Sequence, residues 1–333
     1  MRPGRQNKAD MYMDRRSFLV TAGATLPALL GACGRPDSPL EIAGHVWPGY
    51  EPMFLARAMG WLDPERVRLR ETASASESMR RLATGEVHGA ALTLDEVLRV
   101  RAGGTDLRIV LVFNISAGAD MVLARPAIET LEELAGRRIG VEDSALGALM
   151  LHHTLDTAGL SRDEVETMSL TINAQEAAWE QDEVDAVVTY QPVADRLLDD
   201  GAHVLFDSRA MPDTIFDVLA IEAGHLERLE RSTRHLIAAH FRALHHLRAN
   251  PVDAGYRMAE RLGVPGHRAM ETFRGLALPD PSSNRRLLDG SDSRVLQAAR
   301  EIAGLMGDAD APLDRDFGDE LVRPDLLPRE EPR

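Results

Sequence analysis

Cysteine and lysine are almost missing from this chain. Among 333 residues, Cys33 is the single cysteine and Lys8 is the single lysine. One cysteine can form neither an intrachain disulfide nor a cysteine-based zinc site. Because the lysine lies so close to the N-terminus, the rest of the chain has no lysine for a phosphate-binding P-loop or a Schiff base. These absences exclude several classes of nucleotide-dependent and covalent enzymes.

Positive charge and catalytic motifs are also scarce. The net charge is -15 at pH 7, and nucleic-acid binding is not expected because phosphate groups require a basic surface. The chain contains neither a Gly-x-Ser-x-Gly elbow nor a His-Glu-x-x-His motif. His235, His240 and His245 are five residues apart, which separates successive side chains by about 140° on a helix. We therefore expect no catalytic residue, no metal and no cofactor.

The N-terminal segment has the pattern of an export signal. Arg15 and Arg16 precede an uncharged run from 17 to 34 that is rich in alanine and glycine. Paired arginines before such a run resemble a twin-arginine signal peptide. The run ends in Leu-Gly-Ala-Cys, which resembles a bacterial lipobox. We expect Cys33 to carry a lipid that holds the protein on the extracytoplasmic side of a bacterial membrane.

The remainder of the chain has the composition of a globular protein. Hydrophobic residues make up 44% and charged residues 27%, and the length suggests about two domains. Short apolar strands alternate with helices that begin at capping boxes, such as Ser74 with Glu77 and Thr93 with Glu96. The run 107–113 is continuously apolar, as in a strand buried on both faces. This alternation predicts an α/β fold with mainly parallel sheets flanked by helices.

Ligands of open α/β sheets bind beyond the carboxyl ends of the strands. The loops in those positions contain three of the seven tryptophan and tyrosine residues of the chain, together with many polar residues. We predict that these loops form the ligand site. The candidate ligand-binding residues are Trp47, Tyr50, Glu51, Thr93, Asp95, Asn114, Ser116, Asp120, Ser144, Tyr190, Gln191 and Asp217.

One of these loops carries a family resemblance. The segment 47–57, Trp-Pro-Gly-Tyr-Glu-Pro-Met-Phe-Leu-Ala-Arg, resembles the first βα loop of solute-binding proteins of nitrate, sulfonate and taurine importers. It also resembles binders of thiamine-pyrimidine precursors. The likeness continues, in the order of the family, at 90–96, 118–120, 139–142 and 188–192. It covers about residues 40 to 225.

The resemblance implies a two-lobed clamshell of the periplasmic-binding-protein type II, without enzymatic activity. It implies a small-molecule ligand and an ATP-binding cassette (ABC) permease with its ATPase as partners. We also expect a monomer. Chain crossings between the lobes are expected near 121–124 and 215–221. The predicted organisation is a signal peptide at 1–32, a tether at 33–39, a first lobe from 40–123 and 217–333, and a second lobe from 124–216.

The family name suggests an anion, but the residues of the candidate loops do not. They contain no arginine, lysine or histidine among their selected positions, and they offer carboxylates instead: Glu51, Asp95, Glu96, Asp120, Glu142, Asp143 and Asp217. This pattern favours an amine, a pyrimidine-like cation or a zwitterion such as taurine over a simple oxyanion. Two other functions stay open at this point: a ligand-sensing lipoprotein without a transporter, and an exported enzyme on the same fold.

Overall fold

The structure, a computed structural model, describes Met1, residues 38–306 and residues 319–329. The predicted signal peptide and Cys33 lie outside the described residues. All elements below belong to the compact unit Pro39–Arg333. No helix in the part of the chain that is described has both the length and the apolar character needed to cross a membrane.

Eleven strands and ten α-helices are found within these residues. The strands are β1 Leu40–Gly44, β2 Val67–Glu71, β3 Gly89–Thr93, β4 Leu107–Ser116, β5 Asp120–Ala124, β6 Arg138–Val141, β7 Glu166–Ser169, β8 Ala186–Tyr190, β9 His203–Asp207, β10 Phe216–Glu222 and β11 Leu276–Ala277. The helices are α1 Glu51–Ala58, α2 Ala75–Ala83, α3 Leu94–Ala102, α4 Ala145–Ala158, α5 Ile172–Glu180, α6 Val193–Asp199, α7 Ala223–Ala249, α8 Pro251–Leu262, α9 Pro281–Leu288 and α10 Arg294–Met306.

The strands form two sheets, each with helices packed against it. The first has six strands in the order β11-β4-β10-β3-β1-β2, and the second has five in the order β7-β6-β8-β5-β9. Strands β1 to β4 share one direction, and β10 lies antiparallel between β3 and β4. In the second sheet β5 alone runs against the others. The predicted two-lobed α/β fold is thus confirmed, with one reversed strand inserted between parallel strands in each sheet.

We define the first lobe by the six-stranded sheet and the second lobe by the five-stranded sheet. The chain passes from one sheet to the other at 117–119 and returns at 208–215. Residues 120–123, which the sequence assigns to the first lobe, pair with β8 and β9 in the second sheet. The structure therefore moves that boundary, because β5 is the reversed strand that completes the second sheet.

Local sequence signals account for several of the helix starts. Ser74 accepts a hydrogen bond from the backbone N–H of Glu77, which caps α2, and Thr93 with Glu96 forms the capping box of α3. Ser144 accepts a hydrogen bond from the N–H of Gly147 at 3.0 Å and caps α4. These caps satisfy backbone donors that the first helical turn leaves free. They fix the helix N-termini directly behind the loops that form the site.

The apolar residues of the second sheet alternate between two cores. Leu123 and Val187 point to a core that continues through the first lobe, whereas their neighbours Val122 and Val188 point to a separate core beneath α4. Alternation of this kind follows from the two-residue period of a strand. Because one core is shared by both sheets, the loops at their adjoining edges are held close together.

Candidate ligand-binding site

A narrow cavity lies where the strand ends of the two sheets meet. The described residues that line it are His45, Trp47, Tyr50, Ala75, Thr93, Glu96, Asp120, Glu142, Ser144, Leu146, Tyr190 and Asp217. They come from both lobes. The cavity has a volume of about 10 Å³, which is enough for roughly one water molecule. A solute can therefore reach these side chains only when the lobes separate.

The reversed strands place one aspartate in each half of the cavity. Asp217, at the start of β10, pairs with Thr93 at the end of β3. Asp120, at the start of β5, pairs with Tyr190 at the end of β8. Since an antiparallel strand begins where its neighbour ends, both carboxyls lie at the carboxyl edge of the parallel strands. The two lobes thus contribute equivalent acidic positions to the same space.

An aromatic wall closes one side of the cavity. The rings of Trp47 and Tyr190, which belong to different lobes, meet edge to face with centroids 5.3 Å apart. The His45 ring lies 5.3 Å from Tyr50 and 6.0 Å from Tyr190. These side chains are all buried. Such a wall can stack against a flat ligand or attract a cation through the ring faces.

Hydrogen bonds connect the aromatic wall to Asp217. The Tyr50 hydroxyl donates to Asp217 Oδ1 at 2.5 Å, and Asn114 Nδ2 donates to Asp217 Oδ2 at 2.7 Å. Asn114 Oδ1 accepts from the Trp47 indole N–H at 3.0 Å. Gly49 permits this packing, because a Cβ atom there would lie 1.7 Å from Asn114 Oδ1. One buried amide therefore orients both an aromatic ring and a carboxyl group of the site.

Carboxyl groups dominate the electrostatics of the cavity. Burial raises the pKa of Asp120 to about 7. Burial and the nearby Asp120 charge raise the pKa of Asp217 to about 8. Burial also raises the pKa of Glu96 and of Glu142. Behind them Asp95, buried and without a hydrogen-bond partner on either oxygen, has its pKa raised by burial to about 6.

Positive charge is lacking among the described residues that line the cavity. None of them is an arginine or a lysine. The one histidine, His45, is held neutral because burial, reinforced by the charge of Arg261, lowers its pKa to about 3. Asp120 Oδ2 is buried without a hydrogen-bond partner. Buried polar atoms usually have partners, so this atom is suited to contact a bound solute.

The structure brings together seven of the twelve predicted site residues around the cavity: Trp47, Tyr50, Thr93, Asp120, Ser144, Tyr190 and Asp217. Asn114 and Asp95 lie directly behind that layer. Glu51 is directed away from it and forms an ion pair with Arg261. The Ser116 hydroxyl bonds to Ser208 between the lobes, and Gln191 bonds to Asp195.

Other lining residues were not predicted as ligand-binding. His45 follows β1 and could have been found by the strand-end rule that selected Trp47. Glu96 and Glu142 were anticipated as carboxylates of the loops but not as contacts. Ala75 and Leu146 carry no polar group and give no sequence signal. Among the described residues, no group of three or more histidine, cysteine or acidic side chains has the arrangement of a metal site.

Solved structures with the same fold bind sulfonates and nitrate. The alkanesulfonate-binding protein SsuA from Xanthomonas axonopodis pv. citri, bound to MOPS, is 17% identical, with a TM-score of 0.71, 87% of this chain covered and 99% of that chain. The periplasmic aliphatic sulphonate-binding protein SsuA from Escherichia coli is 20% identical, with a TM-score of 0.66 and coverage of 80% and 91%.

The periplasmic nitrate-binding protein NrtA from Synechocystis PCC 6803 is 12% identical, with a TM-score of 0.67 and coverage of 88% of each chain. At these identities the likeness shows the fold alone. A comparison with curated proteins found no match. The family model described as NMT1/THI5 like matches residues 47–254, which is more than half of the chain and includes most of the cavity lining. The chain therefore belongs to the NMT1/THI5-like family.

Proposed function

We propose that the protein is the lipid-anchored, extracytoplasmic solute-binding subunit of an ABC importer, and that its solute is a small organic cation. Family membership and the two-lobed fold support the binding role. In this function the lobes separate, admit a solute and close over it, so affinity depends on the population of the closed form. The solute meets the aromatic wall on one side and carboxyl groups from both lobes on the other.

The proposed positive charge of the ligand is supported by four carboxyl groups that line the cavity without a basic partner: Glu96, Asp120, Glu142 and Asp217. Enclosing an anion beside those of them that are ionised would cost on the order of several kcal/mol, as for any unpaired buried charge. A cation offsets that cost. The rings of Trp47 and Tyr190 add a cation–π attraction of about 0.5–2 kcal/mol.

Two probes of the same shape and opposite charge test this proposal. Benzamidinium is a flat aromatic cation, and benzoate is its anionic counterpart. A ligand that binds only the folded protein raises the melting temperature. We expect benzamidinium to raise it and benzoate to leave it unchanged. The opposite result, or tight binding of nitrate, would contradict the assigned charge while leaving the two-lobed binding role intact.

Binding of the cation should release protons. Because the pKa values of Asp120 and Asp217 are about 7 and about 8, part of these carboxyls carries a proton at neutral pH. A bound cation favours the ionised form, so affinity for benzamidinium should rise with pH through this range and level off above it. Calorimetry in buffers of different ionisation enthalpy measures the proton count. A pH-independent affinity with no proton release would contradict the proposal.

Single substitutions identify the carboxyls involved. Asp217→Asn and Asp120→Asn should each weaken benzamidinium binding by about 1 kcal/mol or more, the rough value of one charged hydrogen bond. Asp143→Asn is the matched control, because the Asp143 side chain is 80% exposed at the rim and pairs only weakly with Arg99. Calorimetric titration of the three variants separates contact with the cation from a general field of negative charge.

A zwitterion is the second candidate ligand. Ser144, the N-cap of the fourteen-residue helix α4, lines the cavity. Helix N-termini favour anionic groups, so an amine-sulfonate such as taurine could place its two charges at the carboxyls and at this helix. Taurine binding together with a weaker effect of benzamidinium would favour the zwitterion over the simple cation.

The anchor and the transporter are tested separately. Cys33→Ser should abolish labelling by a fatty-acid probe and release the protein from the membrane fraction. Copurification with a permease would support coupling to an importer, whereas ligand binding without such a partner would favour a sensory lipoprotein. Chemical conversion of the bound solute would favour an exported enzyme on the same fold.

A further inference from the structure

One arginine from a distant part of the chain lies directly behind the loop that carries the aromatic wall. Arg261, near the end of α8, is partly buried, with 11% of its side chain exposed. Its Nη2 donates to the backbone carbonyl oxygens of His45 at 2.8 Å and of Gly44 at 3.3 Å. Its Nη1 donates to the carboxylate of Glu51. The guanidinium thus contacts the loop both before and after Trp47.

The same guanidinium is packed as well as hydrogen-bonded. Its central carbon lies 3.4 Å from the centroid of the Phe54 ring. Glu51, the first residue of α1, is 1% exposed. Arg261 therefore joins α8, the end of β1 and the start of α1 at one buried point. No described arginine other than Arg261 donates to these loop carbonyls.

We infer that Arg261 is a positioning residue of the ligand site, which holds residues 44–51 in the conformation that presents His45, Trp47 and Tyr50 to the solute. The solute named in this inference rests on the proposed function. The contacts of Arg261 are observed in the structure whether or not that function is correct. It also assigns a specificity role to His45, whose Nδ1 is buried without a hydrogen-bond partner. His45 lines the cavity as a neutral polar contact for the solute.

Neutrality of His45 matters for charge selectivity. An imidazole beside Glu96, Glu142 and the two aspartates would ordinarily gain a proton and oppose a bound cation. The rings of Tyr50 and Tyr190 lie next to the His45 ring and are uncharged, since burial raises the pKa of each well above 10. Arg261 is the nearby positive charge, and it adds to the effect of burial in lowering the pKa of the His45 ring.

Variants of the ion pair test this inference without a ligand. Because Arg261→Met alone leaves the Glu51 carboxyl buried without its partner, the primary variant is Arg261→Met combined with Glu51→Gln. In the full chain, we expect amide hydrogen exchange at 45–51 to become about tenfold faster, while exchange in β4 stays within about twofold. A merely structural role would accelerate exchange throughout the first lobe, and unchanged exchange at 45–51 would overturn the inference.

A second arginine of the same surface provides the control. Arg57 bonds to Glu71 at 2.6 Å and lies 5.1 Å from the same Phe54 ring, but the structure shows no bond from it to a loop carbonyl. Arg57→Met should leave exchange at 45–51 unchanged. An equal effect of both substitutions would overturn the specific role of Arg261.

Two further readouts distinguish this inference from the proposed function. In the double variant the imidazole NMR titration of His45 should move to higher pH, whereas Arg57→Met should not move it. Affinity for benzamidinium should fall about tenfold in the double variant, as expected for a misplaced contact loop. If the wild type binds no cation, the proposed ligand charge fails, while the exchange and titration measurements still decide the role of Arg261. An unshifted His45 titration would overturn the assigned effect on His45.

Discussion

Asp120 shows at the residue scale what an acidic cavity costs the folded protein. Its side chain is 2% exposed, and one carboxyl oxygen has no hydrogen-bond partner. In the unfolded chain the same carboxyl ionises near its ordinary pKa of 3.8, whereas in the folded protein burial raises the pKa to about 7. Between these two values the folded state binds more protons than the unfolded state. Stability therefore falls as pH rises across that interval.

Asp120→Asn should remove this penalty. The amide keeps the size of the side chain and cannot ionise, so the variant should exceed the wild type in stability by about 4 kcal/mol above neutral pH and match it near pH 4. Denaturant unfolding at a series of pH values measures the difference. Asp143→Asn, at an exposed position, should follow the wild-type curve. An Asp120→Asn variant with the same pH dependence as the wild type would contradict the argument.

Residue identities in the site are only partly accessible from sequence. Trp47 follows the end of β1 and Tyr190 ends β8, so the rule that ligands bind beyond the carboxyl ends of strands selects them. The sequence does not show that the Glu51 side chain turns away from the cavity, because its partner Arg261 is 210 residues away in the chain. That orientation depends on the position of α8, which no local pattern of the sequence specifies. The same holds for the neutral state of His45.

Strand β4 is covered along both of its edges. On one side β4 pairs with β10. On the other side, three short pieces of the C-terminal part of the chain satisfy its backbone: β11 at Ile115 and Ser116, Asn284 at Val112, and Val322 at Ile109. An exposed strand edge leaves unpaired N–H and C=O groups. These pieces cover it and tie the C-terminal region to the first lobe.

The Asn284 side chain makes the hydrogen bonds to β4 that a neighbouring strand would otherwise make. Its Oδ1 accepts from the Val112 N–H at 2.7 Å and its Nδ2 donates to the Val112 carbonyl at 3.0 Å. Because Asn284→Ala leaves both buried backbone groups without partners, it should destabilise the protein by about 2–3 kcal/mol. Ser282→Ala, on the exposed face of the same helix, is the control. Denaturant unfolding that shows equal stability for the two variants would contradict this role.

Sequence patterns predict the elements better than their pairing. Capping residues and apolar runs give the starts of α2 and α3 and the buried strand β4. They do not show that β10 inserts between β3 and β4, or that β5 belongs to the second sheet. Both are antiparallel pairings between distant segments, and each depends on a crossing between lobes. For this reason the sequence pattern places the lobe boundary four residues too far along the chain.

At the scale of the whole molecule, the closed arrangement is held by contacts between the lobes outside the cavity. Asn173 at the start of α5 donates from Nδ2 to the Ala73 carbonyl at 2.8 Å. The Ser76 hydroxyl donates to the Asp143 carbonyl at 3.2 Å. These bonds lie in exposed positions, so each is individually weak. In the proposed binding role, a modest net preference for closure would let the lobes separate and admit a solute.

Asn173→Asp should shift this equilibrium towards the open form. The substitution removes the donor and places a carboxylate against the Ala73 carbonyl oxygen, whereas the cavity lining is unchanged. Apparent affinity scales with the population of the competent state, so benzamidinium binding should weaken by about three- to tenfold. Small-angle scattering should show a larger radius of gyration without ligand and the wild-type value at saturation. Glu176→Gln, whose partner Arg196 lies in the same lobe, should change neither measurement. An Asn173→Asp variant with wild-type dimensions and affinity would show that closure does not depend on this contact.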